Sequence, residues 1–303
     1  MKNEKRNLAW IIFIGLAIVW GSSFILMKRG LESFHFYEVG SFRLAFAFWF
    51  TALIGFRYFK KFKAKDAWPL FVVGILGNGL PYMLFPIALS EIDSSIIGVI
   101  NSLVPLFTLI IGMVFFKSGV KKLQVLGIIV GFIGAYVLIN PHGAHLGEKW
   151  YFVFFAIAAS LCYALSINTI SKKLAHLDSL SITLLSLMFV GIPATSYLLI
   201  SGSIMKVVGD PVAQVNLGYI AILGILGTSI AVILFNYLIK ISSPIFSASV
   251  TYFIPIIAIA WGWFDGEQIG VTTVAGVILI LFGVYLVNFK RKAKEESVEV
   301  IDS

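Results

Sequence analysis

The chain has 303 residues, of which 59% are hydrophobic and 13% charged, with a mean hydropathy of +0.96 and a formal net charge of +8. No ordinary soluble domain carries so little charge on so much apolar surface, so the composition places the chain in lipid. The basic excess follows membrane topology, as the loops show, and does not point to nucleic acid.

A bilayer core of about 30 Å needs roughly 20 apolar residues per helix. On that measure the sequence predicts ten spans, near 8–27, 37–56, 68–89, 95–116, 123–139, 150–170, 180–200, 217–239, 244–264 and 270–289. The runs are apolar all round rather than alternating, which argues against a membrane barrel. The first run follows Met1-Lys2-Asn3-Glu4-Lys5-Arg6, like the basic end of a signal peptide, but no A-x-A cleavage site follows and Lys28-Arg29 closes it. It is read as a span. Lys and Arg number eighteen on one set of alternate loops and tails and four on the other, namely Lys28, Arg29, Lys149 and Lys206. The positive-inside rule then places both termini in the cytoplasm.

Arg43 is the one charged residue well inside a span, and placing it there costs at least about 2.5 to 3.5 kcal/mol. It is expected to face the bundle interior, with Glu91, Asp93 or carbonyls as partners, and there to orient an anionic or zwitterionic substrate. The alternative is a structural Arg that snorkels outward. Glu32, Glu38, Glu91, Asp93, Glu148, Asp210, Asp265 and Glu267 all fall at or beyond span ends, so no central acid is available as a proton relay. Coupling through an edge carboxylate such as Glu91 or Glu267, or facilitation down the substrate gradient, are the remaining options.

The ten runs fall into two sets of five, and the second set repeats local features of the first at a shift of about 150 residues. Gly74-Ile75-Leu76-Gly77 returns as Gly224-Ile225-Leu226-Gly227, and Leu84, Phe85, Pro105 and Gly112 match Leu234, Phe235, Pro255 and Gly262. Five crossings per unit would turn the second unit over, giving an all-α polytopic protein of two inverted five-helix repeats, 1–145 and 146–290, with a tail at 291–303. Pro105 and Pro255 remove the bonds to the carbonyls of Asn101 and Thr251 and are read as hinges. Ser102 faces Tyr252 in the same register, and Asn78-Gly79 faces Thr228-Ser229. Polar groups mirrored in this way suit a cavity on the pseudo-twofold axis. The competing role is interhelical bonding, at about 0.6 kcal/mol per bond.

Gly127, Gly131 and Gly134 on the fifth span, with Gly276 and Gly283 on the tenth, let helices approach closely. They are read as scaffold or as a dimer face. Trp10, Trp68 and Trp150 fall near span ends, whereas Trp20, Tyr82, Tyr163 and Tyr252 lie deeper, as packing or as an aromatic wall for amphipathic cargo. Cys162 is the single cysteine, and His35, His142, His145 and His176 all map to loops. No span carries a carboxylate pair, a Ser/His arrangement or a metal set, so neither an intramembrane enzyme nor a cofactor or metal is expected. No phosphate-binding loop occurs, and the longest loop, about 201–216, is too short to fold alone.

Trp20-Gly21-Ser22-Ser23-Phe24, then Phe42 and Arg43, Pro105, Pro255 and the Gly-rich fifth and tenth spans resemble the EamA branch of the drug/metabolite transporter superfamily. The resemblance implies a ten-helix inner-membrane carrier, mostly an exporter of amino acids, their relatives and other metabolites. It also implies a cavity lined by the first four helices of each half. The chain departs from the family in having Lys117 where a Glu commonly follows the fourth span (Glu267 keeps the ninth-span copy), and in having Phe36-Tyr37 where Pro often precedes the second. The expected activity is export of an amino acid or similar solute by alternating access. Trp20, Ser22, Arg43, Asn78, Tyr82, Asn101, Ser102, Tyr163, Thr228, Thr251 and Tyr252 are expected to line the path. Expected partners are the bilayer and a small-molecule substrate, with the protein a monomer or, through the glycine faces, a dimer. The alternative of another class is a non-transporting receptor or assembly factor on the same scaffold.

Overall fold

The computed structural model describes residues 2–92, 94–117, 119, 122–139, 147–264 and 271–288. Asp93, His142, His145, Asp265, Glu267 and the tail at 291–303 lie outside them. Among the described residues the chain is helical and contains no strand. Six helical stretches are long and apolar enough to cross a membrane: Arg6–Leu31, Phe36–Lys61, Ala64–Leu89, Lys149–Lys173, Ser179–Ile200 and Pro211–Ile241. Four shorter apolar helices accompany them, Val104–Phe116, Lys122–Gly134, Pro244–Ile257 and Val274–Gly283.

Several long stretches are interrupted, each for a local reason. The first consists of α1 (Lys2–Gly21) and α2 (Ser23–Leu31). Ser22 and Ser23 donate their hydroxyls to the carbonyls of Ile18 and Val19, both at 2.9 Å, the back-bonding that bends helices. Helix α3 (Phe36–Gly55) has 20 residues and is continuous, hence about 30 Å long, the depth of a bilayer core. The third stretch runs through α4 (Ala67–Gly74), a π-helical turn (Ile75–Gly79) and α5 (Leu80–Leu89). The fourth breaks between α6 (Ser94–Asn101) and α7 (Val104–Phe116), where Pro105 sits at the second position of the new helix and Ser102-Leu103 turn. Helix α8 spans Lys122–Ile139.

The second half follows with α9 (Val153–Lys173) and α10 (Ser179–Ile200), the latter capped by Asp178, which accepts from Ser181 N at 2.9 Å. Helix α11 (Pro211–Gly224) passes through a second π-helical turn (Ile225–Ile230) into α12 (Ala231–Ile241). Helix α13 (Pro244–Ala248) gives way to a 3-10 turn (Ser249–Tyr252) before α14 (Ile254–Phe264), again with proline, Pro255, second in the resumed helix. Helix α15 covers Val271–Asn288. Both π turns begin inside the repeated Gly-Ile-Leu-Gly. Such turns leave carbonyls without their usual α-helical donors and cluster at functional sites.

The halves interdigitate. Helix α1 packs on α12 and α14, while α9 packs on α5 and α7. Helix α3 runs along α10 and also touches α11, and α10 touches α4. Glycines permit the closest crossings. A Cβ on Gly74 would collide with the carbonyl of Ser186, and one on Gly224 would lie 2.7 Å from Phe46 Cβ and 2.9 Å from the carbonyl of Arg43. Helices α8 and α15 form the most intimate pair. A Cβ on Gly283 would stand 2.5 Å from Gly127 O and 2.6 Å from Gly131 N, and one on Gly134 would stand 2.7 Å from Ile280 N. The glycine faces thus meet each other within one chain, and what those helices turn outward is Ile129, Phe132, Ile278 and Phe282.

Ion pairs tie the ends of α3 and α10. At the start of α3, Glu38 accepts from Ser203 Oγ at 2.7 Å and lies 2.8 Å from Lys206 Nζ. At the start of α10, Lys61 Nζ donates to Asp178 Oδ2 at 2.7 Å. Burial alone would raise the Asp178 carboxyl, but the bonds from Lys61 and from the hydroxyl and amide of Ser181 outweigh it and hold it below the ordinary carboxylate range.

Candidate functional site

Between the halves lies a cavity of about 780 Å³, its open side included. Its walls come from α1, α2, α3, the third stretch, α6, α7, α9, α12, the 3-10 turn and the start of α14. No described residue of α8, α10 or α15 reaches it. Seven of the eleven residues expected to line a path stand on it, Trp20, Arg43, Asn78, Tyr82, Asn101, Tyr163 and Thr251.

Much of the lining comes in pairs related by sequence shift. Trp20, Ser23, Phe24 and Met27 on the first span correspond at a shift of 143 to Tyr163, Ser166, Ile167 and Ile170 on α9, and all eight line the cavity. Tyr82, Phe85, Asn101 and Val104 correspond at a shift of 150 to Val232, Phe235, Thr251 and Ile254, which line it too. The single shift of about 150 read from the sequence is therefore replaced by two, because the register changes by seven residues between the second and third spans.

The other four expected residues stand elsewhere. Ser22 accepts from Trp261 Nε1 at 2.9 Å on the far side of the bend. Ser102 is buried in the break between α6 and α7, off the cavity wall. Tyr252 faces α8, where a Cβ on Gly131 would touch its ring at 3.3 Å. Thr228 sits behind Arg43 rather than on the wall.

That last placement changes the reading of Arg43. The side chain does not snorkel, being 4% exposed, and Glu91 is not its partner, because Glu91 takes Lys149 Nζ at 2.6 Å near the end of α5. Instead Arg43 Nε donates to Thr228 Oγ1 at 2.8 Å, Nη1 lies 3.7 Å from Met27 Sδ, and the guanidinium carbon lies 3.7 Å from the centre of the Tyr82 ring. A cation over an aromatic face is stabilised by about 0.5 to 2 kcal/mol. The Tyr82 hydroxyl donates to Asn78 Oδ1 at 3.2 Å, fixing the ring.

The π turn at Ile225–Ile230 holds this corner together. Its Gly227 carbonyl accepts from Trp20 Nε1 at 2.9 Å, Thr228 Oγ1 also donates to Leu223 O at 3.2 Å, and Ser229 shares a hydrogen bond with Thr51 of α3. Trp20 packs edge-on against Phe235, with ring centres 5.0 Å apart. Across the cavity Tyr163 stacks on Phe85 at 5.8 Å.

Sequence reading passed over three polar wall residues, Ser23, Ser166 and Asn236. Asn236 Nδ2 donates to Thr183 Oγ1 at 2.9 Å. The Thr183 hydroxyl is already donated to Ser179 O, so it can only accept from Asn236, which sets the amide with Oδ1 left over. Asn236 Oδ1 and Asn101 Oδ1 are both buried with no donor. A buried oxygen in that state costs about 1 to 3 kcal/mol and marks a place for a ligand donor or water.

Interrupted apolar helices around an interior cavity with one cation, two unsatisfied amide oxygens and an aromatic wall define a multi-pass membrane transporter. The chain belongs to the EamA-like transporter family, whose sequence pattern matches residues 7–140 and again residues 150–289. The two matches start 143 residues apart and end 149 apart, close to the shifts seen in the cavity wall. The chain is 26% identical to an uncharacterized transporter of Archaeoglobus fulgidus over 93% of its own length and 99% of that protein's. It is 26% identical to the inner membrane transporter YedA of Escherichia coli K12, over 90% and 88% of the two chains. It is 25% identical to an S-adenosylmethionine uptake transporter of Rickettsia bellii, over 98% and 99%. A solved crystal structure superposes with a TM-score of 0.68 over 92% of this chain and 96% of the other at 15% identity, a likeness of fold.

Proposed function

We propose that this protein is an alternating-access secondary carrier that exports an amino acid or a related amphipathic solute across the inner membrane. In this reading the ten predicted spans form two inverted five-helix repeats, 1–145 and 146–290, with both termini cytoplasmic as the eighteen-to-four Lys and Arg asymmetry argues. The observation that carries the reading is the paired cavity wall. Residues from equivalent places in the two halves face one space, the arrangement that lets one half take up the other's conformation and move a central site between two sides. Trp20, Arg43, Asn78, Tyr82, Asn101, Tyr163 and Thr251, with Ser23, Ser166 and Asn236, are the proposed path, and the breaks at Pro105 and Pro255 are its hinges. The Rickettsia relative takes up a solute with an α-amino-acid head group, which supports the substrate class, while its direction is uptake.

The test is counterflow into proteoliposomes preloaded with a mixed pool of unlabelled amino acids and metabolites, read by mass spectrometry with and without a pH gradient. Exchange of one solute class is expected. Exchange indifferent to the gradient identifies a facilitator, which fits the absence of a central acid. No exchange by well-folded protein across the pool overturns the carrier reading in favour of a receptor.

A further inference from the structure

Arg43 pairs with no acid among the described residues, Asp93 lying outside them. Among the described residues, the acids nearest in sequence to its end of α3 are engaged elsewhere: Glu32 with Arg29, Glu38 with Lys206 and Ser203, Glu91 with Lys149. The guanidinium forms one strong bond, from Nε to Thr228, and one weak contact with a thioether, and among the described residues its second terminal nitrogen has no partner, while the residue lines the cavity. A guanidinium presents its donors as a flat fork that matches a carboxylate edge-on. A side chain serving only packing would have been matched by an acid or replaced by an apolar residue of similar volume, since an unpaired buried charge destabilises.

The paired wall locates this charge on one side only. At the shift of 143 that relates α3 to α10, the counterpart of Arg43 is Ser186, which lies off the cavity. The counterpart of Tyr82, the ring under the cation, is Val232. Asn101 and Asn236 add acceptor oxygens but no second charge.

We propose, resting on the carrier reading above, that the cavity takes an organic carboxylate in one fixed orientation. Its acid group lies on the free edge of Arg43, and an N–H donor, where present, meets the oxygens of Asn101 and Asn236. The site discriminates against uncharged and purely cationic solutes of the same shape.

The test uses pairs matched in body and differing in the acid group: L-phenylalanine with L-phenylalaninamide, L-methionine with L-methioninamide, and 4-methylpentanoate with 4-methylpentanamide. Each is added to the purified full chain, read by tryptophan fluorescence and thermal stabilisation, and then offered as a competitor in the counterflow assay. At least one acid should bind and compete about tenfold or more better than its amide, the scale of one charge-assisted bond. Arg43→Gln should bring that ratio to about one, and Arg43→Lys should retain part of it. Equal effects of acids and amides on the unmodified protein overturn the proposal, whether or not the variants fold, and so does an acid preference that survives in Arg43→Gln. If no acid binds or competes while the mixed pool still exchanges, the carboxylate assignment fails and the carrier stands. If the pool does not exchange either, the carrier reading itself fails.

Discussion

Replacing Thr228 by valine tests whether Arg43 is held in place from behind. The two side chains have nearly the same shape, so packing is preserved while Oγ1 is lost, and with it the acceptor for Arg43 Nε at 2.8 Å and the donor to Leu223 O at 3.2 Å. A bond to a charged group contributes about 1.5 to 3 kcal/mol and a neutral one about 1 kcal/mol. Arg43 and Leu223 are both buried, so the expected loss is about 2 to 4 kcal/mol. In detergent that is a drop of roughly 5 °C or more in melting temperature, at a few degrees per kcal/mol for a chain of this size. Exchange of the acid substrate should fall about tenfold as the guanidinium loses its orientation. Thr228→Ser keeps the hydroxyl and should recover most of both. If Thr228→Val matches the unmodified protein in stability and exchange, Arg43 is not held by this bond. If the valine and serine variants are equally impaired, the methyl group and not the hydroxyl is what matters there.

Gly283→Ala places a Cβ against backbone atoms of α8 that cannot swing aside, so α8 and α15 must separate, at a cost of about 1 to 3 kcal/mol. Gly15→Ala, with nothing within 4 Å, should be neutral or slightly stabilising, and comparison of the two melting temperatures checks the claim. Asn101→Ala should lower exchange while the folded yield by size-exclusion stays near normal. Equal losses of both would make Asn101 a packing residue. Asp178 has a depressed carboxyl pKa in the folded chain, so its contribution is present above the unfolded value near 4 and is lost as pH falls through the folded one. Melting curves of the unmodified protein and Asp178→Asn should therefore converge below about pH 4 and separate above it.

Six of the ten spans and the helix breaks at both prolines were legible because lipid leaves the backbone few options. A run of about 20 apolar residues must be a helix, and a proline must free a carbonyl whatever surrounds it. The repeated Gly-Ile-Leu-Gly was legible as a repeat, though not as the seat of a π turn, since that depends on which carbonyl each amide finds in three dimensions. The equivalence of Trp20 with Tyr163 and of Ser23 with Ser166 was hidden by the seven-residue change of register, and searching each span at its own shift would have found it. Asn236 was missed because its counterpart in the first half is Pro86, so no mirrored polar group advertised it. The partner of Arg43 was out of reach for another reason. Thr228 lies 185 residues away, and of the nearer acids that sequence reading offered, Glu91 pairs with Lys149 at a helix end and Asp93 lies outside the described residues.

The same arrangement suggests how substrate and conformational change would be coupled in the proposed carrier. The π turn of the second half grips Trp20, Arg43 and Thr51 of the first. Among the described residues, the side chains of its counterpart at Ile75–Gly79 bond within their own stretch, through Asn78 and Tyr82, and that turn meets α9 through the close approach of Gly77 to Ser166. If the halves exchange conformations, the second turn must release its grip, and Arg43 Nε loses Thr228. A solute shifts such an equilibrium only by binding one state better than the other. A carboxylate can take over the guanidinium as Thr228 lets go, lowering the cost of the crossing state, whereas a neutral analogue offers nothing at that step. An amide that occupies the cavity at saturating concentration should therefore exchange much more slowly than its acid, with occupancy read by tryptophan fluorescence and exchange by counterflow. Equal exchange at equal occupancy would separate Arg43 from the conformational step and leave it an anchor for binding alone.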